Sequence, residues 1–169
     1  ALAGVLSAVV TNATGSVIIG IIAGILAGGA VGFANGVVIA RLGINALITT
    51  LATMQIVRGL AYLSCYGLAV GVGVTGFKTL GAGEVLGVPM PVLILIACFV
   101  LFGLVLNRTT FGRNTLAIGS NREAAYLAGI AVVGTKTIIF TLLGMMAGLR
   151  GVITDPGAFE GAVTRAEAY

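Results

Sequence analysis

Residues Ser16–Ala40 read SVIIGIIAGILAGGAVGFANGVVIA, and no Asp, Glu, Lys or Arg occurs anywhere in residues 1–40. About 20 consecutive apolar residues are enough for a helix to cross the hydrocarbon core of a bilayer. Only helices and closed barrels cross that core, because every backbone polar group there needs a partner within the protein. The stretch therefore predicts a membrane-spanning helix over residues 16–40.

A small residue stands at every fourth position of this stretch. Residues four apart lie on nearly the same face of a helix, and small side chains on that face let another membrane helix come close. We therefore predict that this face packs tightly against a neighbouring helix, with a hinge as the alternative interpretation. The predicted packing glycines are Gly20, Gly24, Gly28, Gly32 and Gly36, and Ser16 and Ala40 continue the pattern at its two ends.

The composition of the whole chain is that of a membrane protein. Of its 169 residues 59% are hydrophobic and only 8% are charged, whereas soluble proteins carry about 25% charged residues. The net charge of +4 comes from basic residues scattered between apolar runs, which indicates charges that set membrane topology rather than a nucleic-acid site. With two cysteines and no histidine, the chain offers no cluster of metal ligands, and we predict neither a metal site nor a cofactor.

Together the apolar runs predict an all-α fold, a polytopic transmembrane helix bundle in a single domain. The predicted spans are residues 1–10 (partial), 16–40, 44–63, 89–106 and 129–149. A polar break is predicted at 11–15, and loops are predicted at 65–88 and 107–123. Because the chain starts in an apolar run without Met or charge, we expect it to begin inside a helix or just after one, as a fragment of a longer protein.

The predicted loop at 65–88 contains letters that match two nucleotide-binding motifs. Gly71–Gly76 fits G-x-G-x-x-G, but that motif needs a flanking strand and helix with an acidic residue about 20 positions on. In GFKT, which follows, Phe77 separates the glycine from the lysine that would close a phosphate cradle. We predict that this chain binds no nucleotide and hydrolyses no ATP.

Basic residues predict the orientation of the chain. Arg108, Arg113 and Arg122 fall in one short connection between spans, and such clusters lie on the cytoplasmic side. Alternation of the spans then places Arg41 on the same side and the connections at 11–15, 66–88 and 151–169 outside.

Two segments resemble the permeases of ribose- and L-arabinose-type ABC sugar importers, in the branched-chain amino acid and ribose permease superfamily. They are GFANGVVIARLGINALITTLATMQIVRGLAYL at 32–63 and NRTTFGRNTLAIGSNREAAYLAGI at 107–130. The similarity is strongest to L-arabinose permeases. The resemblance implies part of an ABC importer permease fold, located in a bacterial inner membrane. It further implies that the permease moves a monosaccharide and works with a cytoplasmic ABC ATPase, a periplasmic sugar-binding protein and a second permease subunit.

Within the second segment, Glu123-Ala124-Ala125 followed by Gly129 resembles the coupling loop of ABC importers. The resemblance implies a short cytoplasmic helix that docks into the ATPase, with small residues for close fit and a glycine that ends the helix. An ordinary helix start before the next span is the alternative. The predicted coupling residues are Arg122, Glu123, Ala124, Ala125, Ala128 and Gly129.

Two other functions stay open at this stage. One is a permease of the same superfamily for branched-chain amino acids. The other is a permease fragment or designed membrane helix bundle without transport activity. No nucleophile–base pair suggests an enzyme, so a transport subunit is the prediction.

The orientation can be tested by cysteine accessibility after Cys65 and Cys98 are replaced. We expect cysteines at Arg113 and Arg122 to be labelled only from the cytoplasmic side and a cysteine at Lys78 only from outside, because the arginine cluster fixes the topology. Labelling of position 113 from outside in intact cells would contradict it.

Overall fold

The computed structural model describes residues 2–64, 84–85 and 88–153, and nearly all of them lie in helices. The elements are α1 (Leu2–Thr14), α2 (Val17–Arg41), α3 (Ala46–Ser64), β1 (Glu84–Val85), β2 (Val88–Pro89), α4 (Met90–Arg108), α5 (Thr110–Ser120), α6 (Arg122–Leu127) and α7 (Val132–Ile153). By length and composition, α2, α3, α4 and α7 can each cross a membrane. The two short strands before α4, β1 and β2, pair with each other in antiparallel orientation. The chain is a helical transmembrane bundle.

The helices α2, α3 and α4 begin and end within two residues of the predicted bounds, and α7 lies three to four residues later than predicted. Two predicted irregular segments are helical instead. The polar break at 11–15 is mostly helix, since α1 continues to Thr14, and the predicted loop at 107–123 contains α5 and the start of α6. Cys65, Lys78 and the Gly71–Gly76 motif lie outside the described residues.

The polar residues near the end of α1 do not break the helix because the helix itself and the packing accommodate them. Thr14 donates its hydroxyl hydrogen bond to the carbonyl of Val10 at 2.7 Å, a bond that threonine readily makes within a helix. Thr11 is fully buried. The chain turns only at Gly15, whose φ of +67° favours glycine.

The centre of the bundle is the antiparallel pair of α2 and α7, whose backbones nearly touch. A methyl group placed on Gly28 would lie 2.8 Å from the Cα of Gly148, and one on Gly36 would lie 2.9 Å from the Cα of Thr137. Gly32 faces Gly144 in the same way, at 2.9 Å from its Cα. Glycine is needed at these positions because any side chain would force the two backbones apart.

The other end of the glycine face packs against α1. A methyl group on Gly24 would lie 3.0 Å from the carbonyl oxygen of Ala3, and Gly20 lies against the side chain of Thr11. Ser7, also fully buried, donates to the carbonyl of Gly4 at 2.8 Å. The face predicted to meet one neighbour therefore serves two, with α1 covering one half and α7 the other.

The remaining long helices lie outside this three-helix unit. α3 exposes most of its apolar residues, and its Thr53 hydroxyl donates to the side-chain oxygen of Asn35 on α2 at 2.6 Å. α4 has no buried residue in the described part of the chain. Both helices thus present apolar side chains to lipid or to other protein.

The close approach of α2 and α7 predicts a large difference between two glycine-to-leucine substitutions. Gly28→Leu should lower stability by roughly 1–3 kcal/mol through overpacking. Gly103→Leu on α4 is the matched control, since a methyl group there would meet nothing within 4 Å. Thermal melts in detergent check this, and equal melting temperatures for the two variants would contradict the packing.

Candidate cytoplasmic coupling segment

The short helix α6 is fixed at its beginning by its own cap. Asn121 has an extended backbone, and its side-chain oxygen accepts from the backbone N–H groups of Glu123 at 3.0 Å and Ala124 at 3.1 Å. Such a cap satisfies donors that the first helical turn leaves unpaired. A polar residue thus separates α5 from α6 and defines where the segment starts.

The end of α6 is equally well defined. The N–H of Ile130 donates to the carbonyl of Ala125 at 3.1 Å, and the N–H of Gly129 donates to the carbonyl of Tyr126 at 3.0 Å. This pair of bonds, with a residue in the left-handed region, is the Schellman ending of a helix. Gly129 has φ +81°, so a glycine at this position lets the chain turn directly into α7.

One side of α6 packs against the protein. Ala125 is 4% exposed and lies in a small cluster with Ile118 of α5 and Val132 at the start of α7. Ala117 and Ile130 pack against this cluster. Of the six predicted coupling residues, Ala125 therefore faces inward and anchors the segment, so it is not available to a partner.

The other side of α6 carries two large apolar side chains. Tyr126 is 70% exposed and Leu127 is 81% exposed. The remaining predicted residues of the segment, Arg122, Glu123, Ala124, Ala128 and Gly129, are also exposed. Exposed aromatic and aliphatic side chains beside polar residues are typical of a protein–protein contact. Tyr126 and Leu127 are not among the residues predicted from the sequence, which are mainly small.

A sequence signal for these two residues does exist. Tyr126 and Leu127 are the only large apolar residues between Asn121 and Gly129. They follow Ala125 directly, and neighbouring residues in a helix point to different sides. Once Ala125 is known to face inward, the following two positions are therefore directed away from the bundle.

The segment sits at the same end of the bundle as the turn after α2. In the antiparallel pair, Gly36 near the end of α2 meets Thr137 near the start of α7. Arg41 and α6 therefore share one end of the α2–α7 pair, which agrees with the predicted alternation of spans. Only residues 128–131 connect α6 to α7, so a force on α6 would reach α7 through a short link.

The glycine face itself lies in the core, away from this segment. Among the residues that the structure describes, no group of three or more His, Cys, Asp or Glu side chains could hold a metal ion.

Comparison with known proteins identifies the family. Residues 1–156 match the family described as branched-chain amino acid transport system, permease component. The L-arabinose transport system permease of Escherichia coli (strain K12) is 58% identical over 153 residues, which cover 90% of this chain and 47% of the relative. An L-arabinose ABC transporter permease of Azospirillum brasilense is 48% identical over 153 residues, 90% of this chain and 45% of the relative.

A more distant relative is the ribose import permease of Bacillus subtilis (strain 168), which is 36% identical over 137 residues, 80% of this chain and 42% of the relative. No solved structure matches the chain. The chain spans about half the length of the curated relatives it matches. The family match, together with four helices long and apolar enough to cross a membrane, shows that the chain is a multi-pass membrane protein that belongs to the family of branched-chain amino acid transport system permease components.

Proposed function

We propose that the chain forms part of the permease of a bacterial ABC importer that moves a monosaccharide of the L-arabinose or ribose type across the inner membrane. The names of the most similar relatives support the sugar class. In this proposal the chain is a transport subunit, and ATP is hydrolysed by a cytoplasmic ABC ATPase. A periplasmic sugar-binding protein delivers the sugar, and a second permease subunit, identical or different, completes the pathway.

The observation that carries the proposal is the exposed tip of α6, formed by Tyr126 and Leu127. A helix capped at both ends fixes the backbone that carries these side chains, and neither packs against the bundle in the described structure. Large exposed apolar side chains on a defined helix, next to the charges of Arg122 and Glu123, suit insertion into a groove of the ATPase. Aromatic anchors of this kind supply much of the energy of protein contacts.

A movement of the ATPase would then displace α6 and the helices packed with it as one rigid body. The cluster around Ala125 ties α6 to the start of α7, and the glycine contacts tie α7 to α2. Closely packed helices shift as units because their interface does not deform continuously. Docking at α6 would therefore tilt the α2–α7 pair and change access to the transport path.

The docking role can be tested in a chimera in which the matching part of this chain replaces that of the Escherichia coli L-arabinose permease. Tyr126→Ala combined with Leu127→Ala should leave membrane abundance unchanged, because both side chains are exposed. Co-purification of the ATPase and L-arabinose uptake should both fall by about tenfold or more, as expected for loss of a contact anchor of about 2 kcal/mol.

Leu42→Ala is the matched control, since Leu42 is 68% exposed at the same end of the bundle but belongs to another connection. Gly129→Trp offers an independent disturbance, because φ +81° disfavours tryptophan and the turn out of α6 would change. It should reduce ATPase co-purification without loss of insertion. If both altered chimeras transport normally and retain the ATPase, α6 is only a connector.

A second candidate is a permease for branched-chain amino acids, which the description of the matching family favours. The two candidates differ in the solute that the unaltered protein transports with matched binding proteins. Uptake of leucine without uptake of L-arabinose or ribose would replace the sugar assignment. Uptake of none of these solutes by an abundant, ATPase-bound protein would favour a helical module without transport activity.

A further inference from the structure

A half-open cavity of about 340 Å³ lies between α2, α3 and α7 and is bordered at one end by the start of α1. Its wall on α2 extends from Ala27 to Asn35, which is about 12 Å at 1.5 Å per residue. Small-molecule sites commonly have volumes of about 300–1,000 Å³. The cavity is thus large enough for a small solute within the membrane-spanning part of the bundle.

The cavity lining is mostly apolar, but its three polar side chains lie together and form what we call the polar wall. Asn35 on α2, with Thr50 and Thr53 on α3, supplies the polar side chains. The α7 side of the cavity is apolar and includes Phe140 and Leu143. No Asp, Glu, Lys or Arg lines the cavity among the described residues.

The polar wall has unused hydrogen-bonding capacity. Thr53 donates its hydroxyl proton to the side-chain oxygen of Asn35, so the Thr53 oxygen still has lone pairs that can accept. Thr50 donates to the carbonyl of Ala46 at 2.8 Å and likewise keeps acceptor capacity. Within the described part of the chain, the Asn35 amide nitrogen donates to no other group. The wall therefore offers two N–H donors and two hydroxyl acceptors.

Polar side chains within a membrane span are costly unless their hydrogen bonds are made. A polar side chain without its hydrogen bonds is unfavourable away from water, and polar residues inside spans either bond to a neighbouring helix or face a cavity in the bundle. Asn35 lies six residues before the end of α2 at Arg41, or about 9 Å along the helix. Its amide is thus well inside the span, and Asn35 lines the cavity.

The polar wall and the apolar α7 side fit one class of solute. A pyranose or furanose sugar carries hydroxyl groups that both donate and accept, and its ring presents an apolar C–H face. The hydroxyls would pair with Asn35 and Thr53 while the C–H face lies against Phe140. A zwitterionic amino acid would bring two charges into a cavity whose described lining has no charge to pair with them, which is strongly unfavourable.

We propose that this cavity is a contact site for a neutral monosaccharide along the transport path, in which Asn35, Thr53 and Phe140 discriminate sugars by their hydroxyl groups. This rests on the proposed transport function and adds the residues that recognise the solute within the membrane. The Asn35–Thr53 bond positions the amide so that both of its N–H groups remain available to the sugar.

The test uses the same chimera with the Escherichia coli L-arabinose permease, its ATPase and its binding protein. The ratio of uptake rates for L-arabinose and a deoxy analogue that lacks one hydroxyl is measured for each variant. The binding protein is common to all assays, so its own preference cancels between variants. Thr53→Val and Asn35→Leu should each change the ratio by about 3- to 10-fold, the effect of one lost hydrogen bond.

Thr141→Val is the matched control, because Thr141 is also partly buried and bonds to the Thr137 carbonyl at 2.8 Å but does not line the cavity. It should leave the ratio unchanged. A second measurement uses Asn35→Cys in a chimera free of other cysteines. We expect a small methanethiosulfonate reagent to label it and L-arabinose to slow that labelling.

The outcomes separate the two proposals. If the unaltered chimera imports no sugar although it is abundant and binds the ATPase, the proposed function fails. If it imports sugar but the ratios for Thr53→Val and Asn35→Leu equal that for Thr141→Val, the cavity inference alone fails. Absence of labelling at position 35 would mean that another protein segment fills the cavity, and this also overturns the inference.

Discussion

The fold depends on the near-contact of the α2 and α7 backbones. Lipid removes the hydrophobic force that drives soluble helices together, so association in a membrane relies on close van der Waals packing. Dispersion falls off steeply with distance, and only glycine lets two helix backbones come within this range. Gly28, Gly32 and Gly36 meet Gly144 and Gly148 on the facing helix or lie against its backbone. The central pair therefore owes its stability to residues without side chains.

The same constraint organises the rest of the bundle. Gly20 and Gly24 continue the face and admit α1, so three helices share one tightly packed unit. By contrast α3 approaches this unit more loosely and is linked to it by the Thr53–Asn35 hydrogen bond beside the cavity. In the proposed permease, a rigid unit next to a loosely held helix would let one part move against the other around a solute.

The proposed coupling segment and the proposed solute site occupy different places on this unit. The anchor of α6 is Ala125, packed between α5 and α7, and its exposed tip lies at the end of the bundle. The cavity lies between α2, α3 and α7, further into the span. Because α7 belongs to both, a displacement that starts at α6 reaches a wall of the cavity through one helix.

Much of this architecture could be predicted from residue patterns. Runs of apolar residues located α2, α3 and α4 to within two residues, since length and hydropathy alone define a span. Patterns of polar residues were less informative. The prediction of a break at 11–15 was wrong. The segment is mostly helical because Thr14 bonds to its own helix and Thr11 is buried against Gly20. The Thr11 contact depends on a partner helix and leaves no periodic signal.

The candidate site shows the same division. The resemblance to importer coupling loops implied that Gly129 ends a helix, whereas the inward side of Ala125 and the outward side of Tyr126 depend on how α6 rests on α5 and α7. The pairing of Asn35 with Thr53 joins two helices across the fold. No local pattern in either helix specifies that pair.

Disulfide formation between α2 and α7 tests the central contact most directly. A Cβ on Gly29 would lie 3.0 Å from the Cγ of Met145, and replacing Met145 removes that atom. Cysteines at positions 29 and 145, in protein without Cys65 and Cys98, should therefore oxidise to an intramolecular disulfide that mass spectrometry detects, since such bonds need Cβ atoms about 3.5–4.5 Å apart. Cysteines at 103 and 145 should not. Failure of the 29–145 pair to cross-link in folded membrane-inserted protein, or equal cross-linking of the 103–145 pair, would contradict the account.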